Sequence, residues 1–407
     1  MQDAYELAAK IFQFLSRTNL LHSVFTLKSR ILDKHIGILL FTGYLQKELT
    51  MRTIANFTIY YFQTLNADAQ LNISLQQLHS LGIQSADLIN FYHAMLLVRT
   101  FDTKAIALQR TGRIGTYASC LGQEAISTAI GKAMRDSDVF LPGYRDAATL
   151  ICRGAKIEEL LLYWGGDERG MNFSYNREDL PYNVPIASQC CHSIGVAYAF
   201  KLRQQPRVAV VVCGDGGTSE GDFYEAINAA GTWQLPIVFV VINNQWAISV
   251  PRSKQSYCAT LAQKAISGGF SGEQVDGNDI IGCYIRLQKA IENARDGKGP
   301  HLIEAITYRL ADHTTADDAS RYRAQAELAQ AWQQEPIQRL QDFLINKKLA
   351  TLASLAKIQA QCKEAVESSV NLYLNTELQP SSAMFDFMFK ETPPLLKQQL
   401  SQLNRKP

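Results

Sequence analysis

The sequence predicts an α/β fold, a doubly wound and mainly parallel sheet with flanking helices. Three observations carry this expectation. Residues 207 to 213, Arg-Val-Ala-Val-Val-Val-Cys, form a continuous β-branched run of the kind a strand covered on both faces needs. A Gly-rich turn and a helical stretch from Glu220 to Gln234 follow it. Pro236 to Ile242 then gives a second buried run, so the three segments make a βαβ unit with a right-handed crossover.

The remaining elements follow in order. From Asp87, apolar side chains recur at Leu88, Phe91, Met95, Val98 and Phe101, the three-to-four spacing of a helix with one buried face. Gly112 and Gly115 follow, then a helical stretch from Gln123 to Met134 and a short strand, Val139-Phe-Leu, ending at Pro142-Gly143. A further strand is expected at His301 to Tyr308, and the tail from Ala324 to Thr376 reads as helical, interrupted at Pro336. The expected division is an extension at 1–50, an arm at 51–84, the α/β domain at 85–330 and a helical tail at 331–407, with helical extensions at both ends.

At 407 residues and 47% apolar composition the chain can bury a substantial core. Forty basic residues against 38 acidic ones leave a net charge of +2, which argues against nucleic acid or an anionic membrane as the main partner. The eight cysteines show neither a C-x-x-C pair nor a zinc-type spacing with histidine, so they read as free buried thiols in a reducing compartment, the cytoplasm. The apolar run within His35 to Leu45 is about half the roughly 20 residues a membrane span needs. Asp3 and Glu6 do not suit a secretory signal. Met51-Arg-Thr-Ile-Ala looks like an ordinary start, so residues 1–50 are an extension or a misassigned start.

The turn after the first buried strand reads Gly214-Asp215-Gly216-Gly217-Thr218-Ser219-Glu220-Gly221-Asp222. Its glycines allow close backbone approach, and the helix behind offers free amides to an anion. A plain turn, a dinucleotide fingerprint and a metal-assisted phosphate site all fit that much. A dinucleotide site wants an acidic residue at the end of the second strand, where this chain has Asn243-Asn244. Asp215 would also repel a bare pyrophosphate, a conflict that a divalent cation removes. Adjacent parallel strands put Asp215 and Asn244 at one sheet edge, where magnesium could take the carboxylate, the amide oxygen and a backbone carbonyl just beyond.

Gly-Asp-Gly followed within thirty residues by Asn-Asn, in a strand-helix-strand context, resembles the diphosphate-binding motif of thiamine diphosphate enzymes. The resemblance extends to residues 216–228, to Leu-Pro-Gly-Tyr-Arg at 141–145, and to Thr-Tyr-Arg at 307–309 followed by His313. These are similar to the alpha subunit of two-subunit 2-oxoacid dehydrogenases, over about residues 85–330. The resemblance implies a thiamine diphosphate-binding fold and a set of site residues. Asp215, Asn244 and the main-chain oxygen of Trp246 would hold Mg2+; Tyr144, Arg145, Gly214, Gly216 and Gly217 would meet the diphosphate. Ile186 would bend the cofactor, and the backbone at Val184 would meet its aminopyrimidine. His313 would be the catalytic histidine that orients the substrate-derived intermediate and helps acyl transfer to a lipoyl group.

Some relatives bind potassium around the positions of Ser188 and Gln189. Two positions depart from the family pattern: Thr314 stands where animal relatives carry a phosphorylated serine, and Ala118 stands where some members have a phosphate-contacting histidine. His93, His192, His301, Cys190 and Cys191 match no motif and read as structural.

The family's chemistry needs a glutamate that activates the cofactor, and none is located in this chain. The resemblance therefore implies a beta subunit supplying it in an α2β2 tetramer, and a lipoyl-bearing dihydrolipoyl acyltransferase downstream. It favours pyruvate as the 2-oxoacid substrate, with branched-chain 2-oxoacid and acetoin dehydrogenases as alternatives. A nicotinamide-dependent oxidoreductase is disfavoured by Asn244 and Asp215, and a non-catalytic subunit by the intact Asp215, Asn244 and Arg145.

Overall fold

Side chains that alternate between two faces of one sheet build the centre of the computed structural model, which describes residues 53–403. The expected extension at 1–50, with its apolar run, lies outside the described residues. Residues 53–57 are exposed and outside any helix or strand, and the unit that carries the sheet starts at Thr58.

The strands are β1 (Tyr61–Phe62), β2 (Val139–Leu141), β3 (Ala209–Gly214), β4 (Ile237–Asn243), β5 (Trp246–Ala247), β6 (Val250–Pro251), β7 (Gly272–Asp276) and β8 (His301–Ile306). Six of them form one sheet in the order β1-β7-β8-β4-β3-β2, with every neighbouring pair parallel. β5 and β6 make a separate antiparallel hairpin just beyond β4.

Ala209, Val211 and Cys213 of β3 and Ile237, Phe239 and Val241 of β4 face helices Ser188–Leu202 and Gly221–Thr232. Their sequence neighbours Val210, Val212, Val238, Val240 and Ile242 face the opposite way, onto helices Glu124–Ala133 and Ile280–Arg295. Both faces are apolar because both are covered. At about 1.5–3 kcal/mol per buried Val, Ile or Phe side chain, this double core outweighs any single hydrogen bond near the site.

The βαβ unit, the long helix (Ser85–Arg110) and the strands near 139, 209, 237 and 301 lie where the sequence put them, within two residues at most ends. β1 and β7 are additions. β7 reads Gly-Glu-Gln-Val-Asp, and its polar side chains, Glu273 and Asp276 buried and Gln274 half-buried, are paired: Glu273 with Arg286 at 2.6 Å, Gln274 with Glu304 at 2.9 Å and Asp276 with Arg339 at 2.6 Å. The helical tail breaks between Trp332 and Pro336, and Pro336 opens the next helix, Pro336–Asn346, with the Glu335 side chain accepting from the amides of Ile337 and Gln338. That helix and Leu352–Leu374 pack on Ser85–Arg110.

All eight cysteines are free. Among the described residues, no helix is long and apolar enough to cross a membrane.

Candidate active site

Segments following β2, β3, β4 and β8 meet at the carboxyl edge of the sheet, the edge where open α/β sheets bind ligands. They enclose a cavity of about 610 Å3. Tyr144, Arg145, Val184, Ile186, Gly214, Asp215, Gly216, Gly217, Asn244, Trp246 and His313 all line it. The structure thus brings these eleven residues to one cavity, together with Gln189, while Ser188 is not among its lining residues.

Asp215 follows β3, which pairs with β4 so that Gly214 stands opposite Ile242. Its carboxylate is 2% exposed and its Oδ2 has no hydrogen-bond partner. Burial pushes its pKa up to about 6, against the opposing pull of main-chain amides at Asp215 and Asn244 and of the Arg309 cation. Asn244 is also buried, and its Oδ1 accepts from Trp246 N at 3.2 Å. The main-chain oxygen of Trp246 accepts from Arg309 Nη1 at 3.3 Å, which leaves its second lone pair. A buried carboxylate oxygen without a partner, an amide oxygen and a carbonyl form a hard-oxygen set suited to a divalent cation.

Glycine is needed at 216 because a Cβ there would lie 2.7 Å from the Cβ of Ala247. The turn after β3 and the β5 hairpin therefore touch at backbone range. Ile186 sits over this turn, its Cγ2 3.6 Å from where a Cβ on Gly217 would stand. Ile186 and Val184 are about half exposed. Ala187 takes a left-handed φ of 64° to lead from them into the helix Ser188–Leu202. Ile248, at the tip of the β5–β6 hairpin, also has φ 54°, a strained conformation for a β-branched residue beside a cavity.

Arg145 is 8% exposed and donates to Ser119 O at 2.6 Å and His313 O at 2.5 Å. Its guanidinium lies 5.2 Å from the Tyr144 ring centre, and that ring meets His313 edge-on at 6.2 Å. Burial, with the Arg145 and Arg309 cations, lowers the His313 pKa to about 4.

Arg309 is fully buried and donates to Trp246 O, to Ile248 O at 2.8 Å and to Tyr322 Oη at 2.7 Å. Burial and the Arg145 charge hold it below the usual arginine range. Among the described residues, neither Arg145 nor Arg309 has a carboxylate within 4.0 Å. Arg145 lines the cavity and suits an anion that brings its own negative charge, while Arg309 stands behind it, engaged with protein oxygens.

Sequence reasoning gave no role to Gln123 or Asp146, which line the cavity, or to Arg309 behind it, and named Gln189 only for potassium. Gln123 Nε2, Asp146 Oδ1 and Gln189 Oε1 are buried without partners, and all three residues line the cavity. Burial pushes Asp146 up to about 7, while its Oδ2 accepts from Gly143 N at 2.7 Å. The available signals were the Thr-Tyr-Arg at 307–309 and polar residues placed just after strand ends or at helix starts. Of the positions read as structural, His301 lies at the opposite end of its strand, with Ser271 Oγ 2.9 Å from its Nδ1.

Residues 92–378 match the family model described as "Dehydrogenase E1 component". The chain is 39% identical over 313 residues to the pyruvate dehydrogenase E1 component subunit alpha of Staphylococcus aureus, covering 77% of this chain and 85% of that one. It is 37% identical over 325 residues to the protein of the same name from Mycoplasma genitalium, covering 79% and 90% of the two chains. The Mycoplasma pneumoniae counterpart is 34% identical over 327 residues, covering 80% and 91%. With its carboxyl-edge cavity and the match over most of its length, the chain belongs to the dehydrogenase E1 component family.

Proposed function

We propose that this chain is the alpha subunit of a pyruvate dehydrogenase that binds thiamine diphosphate and decarboxylates pyruvate oxidatively, passing the acetyl group to a lipoyl group. The observation that carries this reading is the buried Asp215 carboxylate, its Oδ2 unpartnered at the cavity beside Asn244. The names of the relatives support pyruvate as the 2-oxoacid and a beta subunit as the partner.

Asp215, Asn244 and the Trp246 carbonyl are the residues to hold Mg2+, and Gly214, Gly216 and Gly217 let the backbone approach the diphosphate. Arg145, with Tyr144 beside it, supplies the countercharge. When bound, thiamine diphosphate supplies the nucleophilic carbon and the electron sink for decarboxylation. Ile186 and the Val184 backbone are the surfaces for its pyrimidine end, and they are open enough to receive it. His313 is neutral, with its Nδ1 engaged by Arg145, so its Nε2–H is the group available to donate to the substrate oxygen. The activating glutamate comes from the beta subunit in an α2β2 assembly, and the acetyl acceptor from a dihydrolipoyl acyltransferase.

A potassium site around Ser188 and Gln189 belongs to the same proposal; Ser188 Oγ lies 3.0 Å from both Asn183 Oδ1 and Pro185 O, and Gln189 Oε1 is buried without a partner. The division at residues 50, 84 and 330 is part of the same proposal, as is a cytoplasmic location.

The test is reconstitution with the candidate beta chain and a lipoyl domain, comparing pyruvate with 3-methyl-2-oxobutanoate. Preference for pyruvate and dependence on thiamine diphosphate are expected. Preference for the branched acid would move the assignment to a branched-chain dehydrogenase, and turnover by this chain alone would overturn the split site.

A further inference from the structure

A short 3-10 segment behind the sheet edge, Ala262–Gly268, reaches the turn after β3 directly and the end of β4 through Glu304 of β8. Lys264 is 5% exposed, and its Nζ donates to Thr218 O at 2.6 Å and to Thr218 Oγ1 at 2.9 Å. Thr218 in turn donates twice to the main-chain oxygen of Asp215, from its Oγ1 at 2.7 Å and from its amide at 3.2 Å. On the other side, Ala262 N donates to Glu304 Oε2 at 2.9 Å, and Glu304 Oε1 accepts from Asn243 Nδ2 at 2.7 Å. One segment thus clips the turn after β3 and the end of β4 together.

A buried ammonium is expensive unless it is compensated. Among the described residues Lys264 has no carboxylate within 4.0 Å. Its compensation is the two Thr218 oxygens and two aromatic rings, Tyr224 at 5.0 Å and Phe223 at 6.0 Å from Nζ to ring centre. An apolar side chain would fill this place at less cost if the segment only had to pack. The cation is directed at Thr218, the residue that fixes the Asp215 backbone.

We propose that Lys264 is a positioning residue for Asp215, acting through Thr218, and so sets the affinity of the chain for a metal-bound diphosphate. This rests on the cofactor reading above, and its first readout does not require the cofactor. Lys264 holds the Thr218 carbonyl and hydroxyl oxygen in place. With that anchor, the Thr218 hydroxyl and amide hold the Asp215 carbonyl, and the Asp215 side chain keeps its direction toward the cavity.

The test uses the reconstituted assembly with Lys264→Met, Thr218→Val and Thr218→Ser. Hydrogen exchange without added cofactor should be at least about tenfold faster over residues 215–219 in Lys264→Met and Thr218→Val, and close to that of the unmodified protein in Thr218→Ser, which keeps the hydroxyl. The half-saturating concentration of thiamine diphosphate with Mg2+, read by tryptophan fluorescence, should rise about tenfold in the first two variants, with turnover at saturation falling by less than threefold. Unchanged exchange at 215–219 in Lys264→Met overturns the inference. If that variant does not assemble, unchanged exchange in Thr218→Val, or equal acceleration in Thr218→Ser and Thr218→Val, overturns it. Failure of the unmodified assembly to bind thiamine diphosphate would instead overturn the cofactor reading while leaving the exchange result to judge the Lys264 clip.

Discussion

Arg145 grips His313 at two points, its Nη2 lying 2.9 Å from the ring Nδ1 and 2.5 Å from the main-chain oxygen. A guanidinium only donates, so Nδ1 must accept and the neutral ring carries its proton on Nε2. The histidine pKa falls to about 4, below an unfolded value of about 6.5. Between those values the unfolded chain binds the extra proton, so this group's contribution to stability is present above about pH 6.5 and is lost as the pH falls towards 4. A histidine NMR titration should find His313 neutral at pH 5.5, and Arg145→Gln should move its midpoint upward. Titration near 6.5 in the unmodified protein would contradict the contact.

Replacing His313 with alanine should leave thiamine diphosphate affinity within about threefold and reduce acetyl transfer to a lipoyl domain by 100-fold or more, the usual range for a lost proton-transfer group. Single-turnover assays separate the steps. Normal transfer would remove His313 from the chemistry.

Asp215→Asn should act with opposite signs on the two states. It removes a buried carboxylate whose Oδ2 has no partner, which should stabilise the protein without cofactor by about 1–3 kcal/mol. The rise in melting temperature expected with thiamine diphosphate and Mg2+ should be absent. Thermal unfolding with and without cofactor reads both effects.

At Gly216, alanine would set two methyl carbons 2.7 Å apart and cost about 1–3 kcal/mol as the turn and hairpin separate. Cofactor protection should weaken. Ala247→Gly in the same chain removes the opposing carbon and should restore most of it, a coupling that a double-mutant cycle measures.

Arg309→Met removes the donor shared by Trp246 O, Ile248 O and Tyr322 Oη. The buried Trp246 carbonyl left unpaired costs about 1–3 kcal/mol, and the two part-buried acceptors cost less. Hydrogen exchange should accelerate in the 246–251 hairpin and in the loop from 313 to 322, with little change in β3.

The parts legible in the sequence share one property: their residue types report their surroundings. β3 and β4 are apolar up to their carboxyl ends because both faces are covered, and Gly216 is glycine because Ala247 stands against it. The Asp215 and Asn244 pair could be read because strand polarity puts successive turns on one edge. β7 escaped because its buried positions are polar and paired with arginines and a glutamate distant in sequence. Arg309, Lys264 and Asp146 escaped for the same reason. Nothing in a single polar letter says that the side chain is buried, or that it binds a carbonyl or a hydroxyl. Val184 and Ile186 were legible through resemblance alone, since half-exposed apolar residues carry no pattern of their own.

β8 is the last strand in sequence, yet it lies between β4 and β7. Until it arrives, β4 and β7 each present an unpaired edge, and the sheet exists as two halves that cannot join. Such edges recruit other chains, and pairing over long sequence separations is slow. The segment carrying His313 and Thr314 follows β8, so the strand that closes the sheet also delivers the last side chains of the cavity. A chain arrested before residue 301 would be open at its centre as well as incomplete at its site, and refolding yield should fall steeply with protein concentration.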